Sequence, residues 1–98
     1  MTGLSPEIKE KAFEQQVHQL ARLYGWRYYH TWRSLHSVSG FPDCVFVKGK
    51  RVIYAELKTE KGKVTPEQQD WLDALTAAGQ EVYLWRPSEY EQIEEVLQ

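Results

Sequence analysis

Two runs of β-prone residues, Pro42 to Lys48 and Arg51 to Lys58, are separated by only Gly49 and Lys50. No other feature of the chain restricts its fold as tightly. A two-residue connection between such runs makes a β-hairpin, and glycine at the first central position suits its turn. That register pairs Lys48 with Arg51, Val47 with Val52, Val45 with Tyr54, and Asp43 with Glu56. Side chains alternate along a strand, so the last three pairs share one face. Asp43 and Glu56 become direct cross-strand neighbours, with Cβ atoms roughly 5 Å apart. Lys58, two residues after Glu56, projects from the same face. A three-residue turn would instead send Asp43 and Glu56 to opposite faces.

The flanking segments complete one αβββαβα unit in a single domain, residues 1–98. Ser5-Pro6-Glu7 opens a helix, with Ser5 as cap and Pro6 at the first helical position. It runs to about Tyr24 and stops at Gly25, and its apolar stripe is Ala12, Phe13, Val17, Leu20, Leu23 and Tyr24. Trp26 to Trp32 is aromatic and reads as a strand; Arg33 to Gly40 is a polar loop. After a basic loop from Glu60 to Val64, Thr65 and Gln68 have capping-box spacing at the start of a second long helix, with Pro66 at its first position. Trp71, Leu72, Leu75 and Ala78 form its stripe and Gly79 ends it. Glu81 to Trp85 is the fourth strand, and Ser88 caps a short helix carrying Tyr90, Ile93, Val96 and Leu97. Trp71, Trp85 and Cys44 read as core; Trp26 and Trp32 could stack on something, but read first as core or dimer packing. His18, His30 and His36 read as helix, strand and loop residues and form no metal triad.

Composition narrows the classes of function. No apolar run approaches the roughly 18 residues that span a bilayer. The first residues lack the basic-then-apolar pattern of a secretory signal. A single cysteine excludes an internal disulfide and a cysteine-rich zinc site. A soluble protein of a reducing cytoplasm is expected. The net charge of −2 does not advertise a nucleic-acid binder, but its distribution is uneven. Residues 48–66 carry a net +4 and residues 67–98 a net −7. A basic middle beside an acidic tail is compatible with docking DNA on one face; it is also compatible with ordinary solvated charge.

The facing acids are the chemical signal. Two carboxylates opposed on a sheet repel, and a buried charge without a partner is costly. A hard divalent cation with oxygen ligands would compensate both acids. Lys58 alone could neutralise one of them.

Gly40-Phe41-Pro42-Asp43, followed after twelve residues by Glu56-Leu57-Lys58, resembles the motif of the PD-(D/E)xK nucleases. The match is to the VRR-NUC branch, the virus-type replication and repair nucleases. Glu14 matches the acid that branch carries in its first helix, and Gln68 the glutamine that opens the helix after the E-x-K strand. The resemblance covers roughly residues 5–90. It implies a restriction-endonuclease-like α/β domain, with an αβββαβ core and here a short C-terminal helix.

The resemblance also implies Mg²⁺ or Mn²⁺ held by Asp43, Glu56, the Leu57 carbonyl and Glu14. Lys58 would orient the attacking water and stabilise developing charge, with Gln68 at the site. Without the resemblance, Glu14 reads as a solvated acid at the edge of the helix stripe, and Gln68 as a capping residue. Lys61, Lys63, Arg33, Lys48 and Lys50 are candidate phosphate contacts. No residue points to base-specific readout, so selectivity for DNA structure is expected over selectivity for sequence. Stand-alone members of the branch look like homodimeric Holliday-junction resolvases. The resulting expectation is a homodimeric endonuclease for branched DNA. The alternatives are a nuclease acting on flaps or ordinary duplex, and a non-catalytic DNA-binding subunit.

Overall fold

The computed structural model describes residues 6–32 and 37–98. Helix α1 spans Pro6–Leu23, strand β1 Arg27–His30, β2 Cys44–Lys48 and β3 Arg51–Leu57. Helix α2 spans Pro66–Ala77, β4 Glu81–Trp85, and a 3₁₀ turn at Pro87–Glu89 leads into α3, Tyr90–Leu97. The four strands lie in the order β1-β2-β3-β4, with the first two pairings antiparallel and β3–β4 parallel. The parallel pair needs a crossover, and α2 provides it.

The hairpin register is the one its turn demands: Lys48 faces Arg51, Val47 faces Val52, and Cys44 faces Ala55. Gly49 has φ +60°, while no described non-glycine residue has a positive φ. A positive φ at the first central position alone is the signature of a type II′ turn.

Alternation divides the sheet into two faces. Cys44, Phe46, Ile53, Ala55, Leu57 and Trp85 join Phe13, Val17, Leu20 and Ala21 of α1 and Ile93 and Leu97 of α3 in the main core. Trp26 closes that core just before β1, its indole N–H donating to the Leu97 carbonyl at 2.8 Å. The opposite face carries Tyr54 and Glu56, and there Phe41 bridges Tyr54 and Trp71 of α2 with ring centroids 6.1 and 5.1 Å away. Leu72 is the buried residue of α2.

Several boundaries differ from the sequence expectations, each for a local reason. β1 is four residues long, not seven, because Trp26 has turned into the core and, beyond His30, Thr31 meets the Pro42-Asp43 segment ahead of β2, its N–H donating to the Asp43 carbonyl and its hydroxyl to the Pro42 carbonyl. β2 begins after Pro42, which has no N–H to give a ladder. On α1, Leu23 is 73 % exposed and Ala12 is exposed, while Ala21 is fully buried. The core-facing row is thus Phe13, Val17, Leu20 and Ala21. Ala78 is the exposed C-cap of α2 and not part of its buried stripe. Ser88 does not cap α3; it lies inside the 3₁₀ turn, whose start is closed by Glu89 accepting the Arg86 N–H at 2.9 Å. Ser5 and Arg33 to His36 lie outside the described residues. Among the described residues no helix is long and apolar enough to cross a membrane.

Candidate active site

One step beyond the Cys44–Ala55 pair brings Asp43 opposite Glu56 at the open end of the hairpin. Asp43 is fixed from two sides. Its Oδ2 accepts the Leu57 N–H at 2.9 Å, and its carbonyl accepts the Thr31 N–H at 2.8 Å. The Thr31 hydroxyl donates to the Pro42 carbonyl at 2.8 Å, so the residue that follows β1 holds both carbonyls of the Pro42-Asp43 segment.

Glu56 is the one buried charged residue in the described part of the chain, at 2 % exposure. Burial, and then the charge of Asp43, push its carboxyl up to about 8. Lys58 acts the other way, its Nζ standing 3.5 Å from Glu56 Oε2. One ammonium does not restore Glu56 to the ordinary carboxylate range, so the site holds uncompensated demand for positive charge.

Among the described residues no group of three or more His, Cys, Asp or Glu side chains is clustered for metal ligation. The donors present are nevertheless those a hard cation uses. Asp43 and Glu56 offer carboxylate oxygens, and the peptide carbonyl of Leu57 follows directly in sequence. Mg²⁺ is commonly held by one or two carboxylates, with water and substrate phosphate filling its remaining positions. The residues therefore fit a small divalent ion that shares its coordination with substrate.

Glu14 approaches from α1. Its Oε1 lies 3.2 Å from His30 Nε2. Burial raises its pKa, His30 opposes that, and Asp43 raises it further. Glu14 thus feels the Asp43 charge while its direct partner is His30. His30 is a neighbour that sequence spacing does not reveal, because it joins the site only through β1 pairing. His18, also on α1, is stacked on Tyr28 at 4.1 Å, with its Nε2 3.4 Å from Cys44 Sγ. Burial, reinforced by His30, lowers the His18 pKa to about 4, so it is neutral at pH 7.

The basic loop after Lys58 is not loose. Arg86 Nη1 donates to the carbonyls of Thr59 at 2.6 Å, Glu60 at 3.3 Å and Gly62 at 2.7 Å. The Glu60 carboxylate in turn accepts the Ser88 N–H. Lys61 and Lys63 are exposed on this clamped loop. Sequence reasoning missed Arg86: being the single cation among eight acids in residues 67–98 sets it apart but does not name its partners.

Gln68 closes the capping box with Thr65: its Oε1 accepts the Thr65 N–H at 2.9 Å, and its own N–H donates to Thr65 Oγ1 at 3.2 Å. Gly40 has φ +99°, and a Cβ there would lie 2.6 Å from the backbone C and O of Glu67. Only glycine lets the strand carrying Asp43 pass this close to the start of α2.

The remaining basic candidates fall elsewhere. Lys48 is five residues along β2 from Asp43, roughly 17 Å at strand spacing, and its Nζ lies 5.6 Å from the Trp26 ring centroid. Lys50 is in the turn beside it. The hairpin does not bring either to the acid pair. Arg33 lies outside the described residues.

A mixed sheet with an acid pair and a lysine at the end of its central hairpin, and helices on both faces, is the arrangement of the restriction-endonuclease-like nucleases. Within that class, the model of the VRR-NUC domain matches residues 4–88, and the chain belongs to the VRR-NUC family. A solved VRR-NUC domain superposes with a TM-score of 0.76 at 19 % identity, over 91 % of this chain and 94 % of that one. A second VRR-NUC domain protein gives 0.70 at 16 % identity, over 100 % and 88 %. The Holliday junction resolvase Hjc of Archaeoglobus fulgidus, an archaeal hyperthermophile, gives 0.59 at 19 % identity, over 79 % and 69 %. At these identities the solved structures speak for the fold alone. No curated protein matches the chain.

Proposed function

We propose that this nuclease-family domain is a Mg²⁺- or Mn²⁺-dependent endonuclease that cuts branched DNA as a homodimer. The observation that carries the reading is the buried Glu56 facing Asp43 with Lys58 3.5 Å away. The bound ion would be held by Asp43, Glu56 and the Leu57 carbonyl, with Glu14 reaching it directly or through water. When bound, it supplies Lewis-acid polarisation of the scissile phosphate and makes water at the site more acidic. The Leu57 N–H keeps the Asp43 carboxylate aimed at the site. The Lys58 ammonium holds the attacking water and stabilises the charge that develops on the phosphate oxygens. Gln68 has one amide nitrogen left for substrate or water, its oxygen being used in the cap. Lys61 and Lys63 grip the DNA backbone from a loop that Arg86 keeps rigid.

Preference for branched DNA is supported by the similarity of fold to a protein named as a Holliday junction resolvase. A symmetric junction is cut twice, which suits a two-fold dimer. Tyr29 at 62 % and Val47 at 38 % exposure lie on the sheet face away from α1 and offer an apolar surface for a second copy. The test is a cleavage panel of linear duplex, flap and four-way DNA with Mg²⁺ or Mn²⁺, beside sedimentation of the same protein. Paired cuts in the four-way substrate by a dimer are expected. Equal cutting of linear duplex would reassign the substrate. Tight binding with no cutting in either metal would make the chain a DNA-binding subunit.

A further inference from the structure

Trp32 is 78 % exposed, although tryptophan is highly buried on average in folded proteins. It is not at a loose end of the chain. Thr31, the residue before it, is bonded to both the Pro42 and Asp43 carbonyls, so Trp32 is tied to the strand that carries the first catalytic acid. Its ring is also the last of a row. Tyr28 stacks on His18, His18 lies 5.9 Å from His30, and His30 lies 6.0 Å from Trp32, with Glu14 bonded to His30. The row starts beside the core and ends in solvent one ring beyond the His30–Glu14 pair.

This position separates Trp32 from the apolar surface assigned above to a second copy. Tyr29 pairs with Val45 on the face away from α1, and Val47 shares that face. His30 lies against Glu14 of α1, and Trp32 follows it on the same side. Trp32 is therefore on the other side of the sheet from the Tyr29–Val47 surface, and it is the Thr31 backbone bond to the Asp43 carbonyl at the open end of the hairpin that brings it to the edge of the cleavage site.

We propose that Trp32 is a specificity-determining residue that stacks on an unpaired nucleobase of the DNA, next to the bond to be cut. The inference rests on the nuclease reading and adds how the site tells branched from ordinary duplex. In a continuous duplex both faces of each base are covered by its neighbours. At a branch point or single-stranded end a base face is free, and an exposed indole beside the acids can take it. The phosphate next to that base then lies by Asp43 and Glu56. Stacking is indifferent to base identity, which agrees with the lack of groups for base-edge readout.

The experiment measures binding of the intact protein in EDTA to four-way DNA with 2-aminopurine at the branch, and to matched linear duplex. Wild type, Trp32→Ala and Trp32→Phe are compared, with melting temperature and sedimentation as controls. Trp32→Ala should lose roughly tenfold in affinity for the four-way DNA and less for the duplex, so that the preference between them collapses. Quenching of 2-aminopurine by wild type should be lost in the alanine variant and largely kept in the phenylalanine variant. The melting temperature should stay within a few degrees, as for other exposed positions. Unchanged preference and unchanged quenching in Trp32→Ala, with wild type still selecting four-way DNA, would overturn this inference and leave the nuclease reading intact. Conversion of a dimer to a monomer, with equal losses on both DNAs, would overturn it by placing Trp32 in a subunit interface. Failure of wild type to bind any DNA would overturn the function and this inference together.

Discussion

Replacing Glu56 by Gln keeps the shape of the side chain and removes its charge. In the wild type the carboxyl is pushed from 4.5 up to about 8, first by burial and then by Asp43. Between those two values the folded state binds a proton that the unfolded state has released. Stability therefore falls as pH rises from 4.5 to 8. Each pH unit is worth roughly 1.4 kcal/mol, so the full span corresponds to a loss on the order of several kcal/mol. That is a large part of the roughly 5–15 kcal/mol that holds a domain together. Glu56→Gln lacks this dependence. In EDTA the two proteins should match near pH 4.5, and the variant should be more stable near pH 8 by on the order of a few kcal/mol. For a domain of this size each kcal/mol moves the melting temperature by about 4–8 °C, so a gap of 10 °C or more is within easy reach of calorimetry. Groups such as Glu81, whose pKa is lowered by Arg51, are common to both proteins and cancel in the difference. Adding Mg²⁺ or Mn²⁺ at pH 8 should narrow the gap, because the ion binds the folded wild type and not the variant. A difference that is flat from pH 4.5 to 8, or that grows toward low pH, would refute the account of Glu56 as a buried acid awaiting a cation.

Four further outcomes follow from the same geometry. Lys58→Ala should lower kcat by roughly 10²-fold or more in single-turnover cleavage and change metal affinity little. Lys61→Ala with Lys63→Ala should flatten the plot of log affinity against log salt by about 2, since each lost phosphate contact removes roughly one unit of slope; filter binding across a salt series reads this. Arg86→Ala, which unties the carbonyls of Thr59, Glu60 and Gly62, should raise KM more than it lowers kcat, and Arg86→Lys should restore little because one ammonium cannot span that set. Gly40→Ala should lower stability by about 2 kcal/mol or more in urea denaturation, because it combines a strained φ with a Cβ contact of 2.6 Å to Glu67.

The parts of the fold legible in the sequence were those fixed by local chemistry. The Gly49-Lys50 turn set the hairpin register, and with it the opposition of Asp43 and Glu56. Thr65, Pro66 and Gln68 marked the start of α2, and Gly79, at φ +82°, marked its end. What the sequence did not reveal depends on partners distant along the chain. His30 meets Glu14 only because β1 pairs with β2 beside α1. Arg86 reaches back 24–27 residues to three loop carbonyls, and no periodicity encodes such a contact. Trp26 and Trp32 bracket one aromatic run, yet one is 5 % and the other 78 % exposed. Strand alternation alone cannot separate them, since β1 ends between them. The basic segment read as one patch, but strand geometry divides it: Lys58 stays with the acids and Lys61 and Lys63 follow it on the next loop, while Lys48 and Lys50 are carried to the far end of the hairpin.

The central claim is that Asp43 and Glu56 share a divalent ion. Crystals soaked in Mn²⁺ and measured near the manganese absorption edge test it most directly. An anomalous peak is expected within coordination distance of Asp43 Oδ, Glu56 Oε and the Leu57 carbonyl, with no such peak in crystals of Glu56→Gln. A protein that cleaves DNA in Mn²⁺ but shows its peak elsewhere, or shows it unchanged in Glu56→Gln, would contradict the assignment.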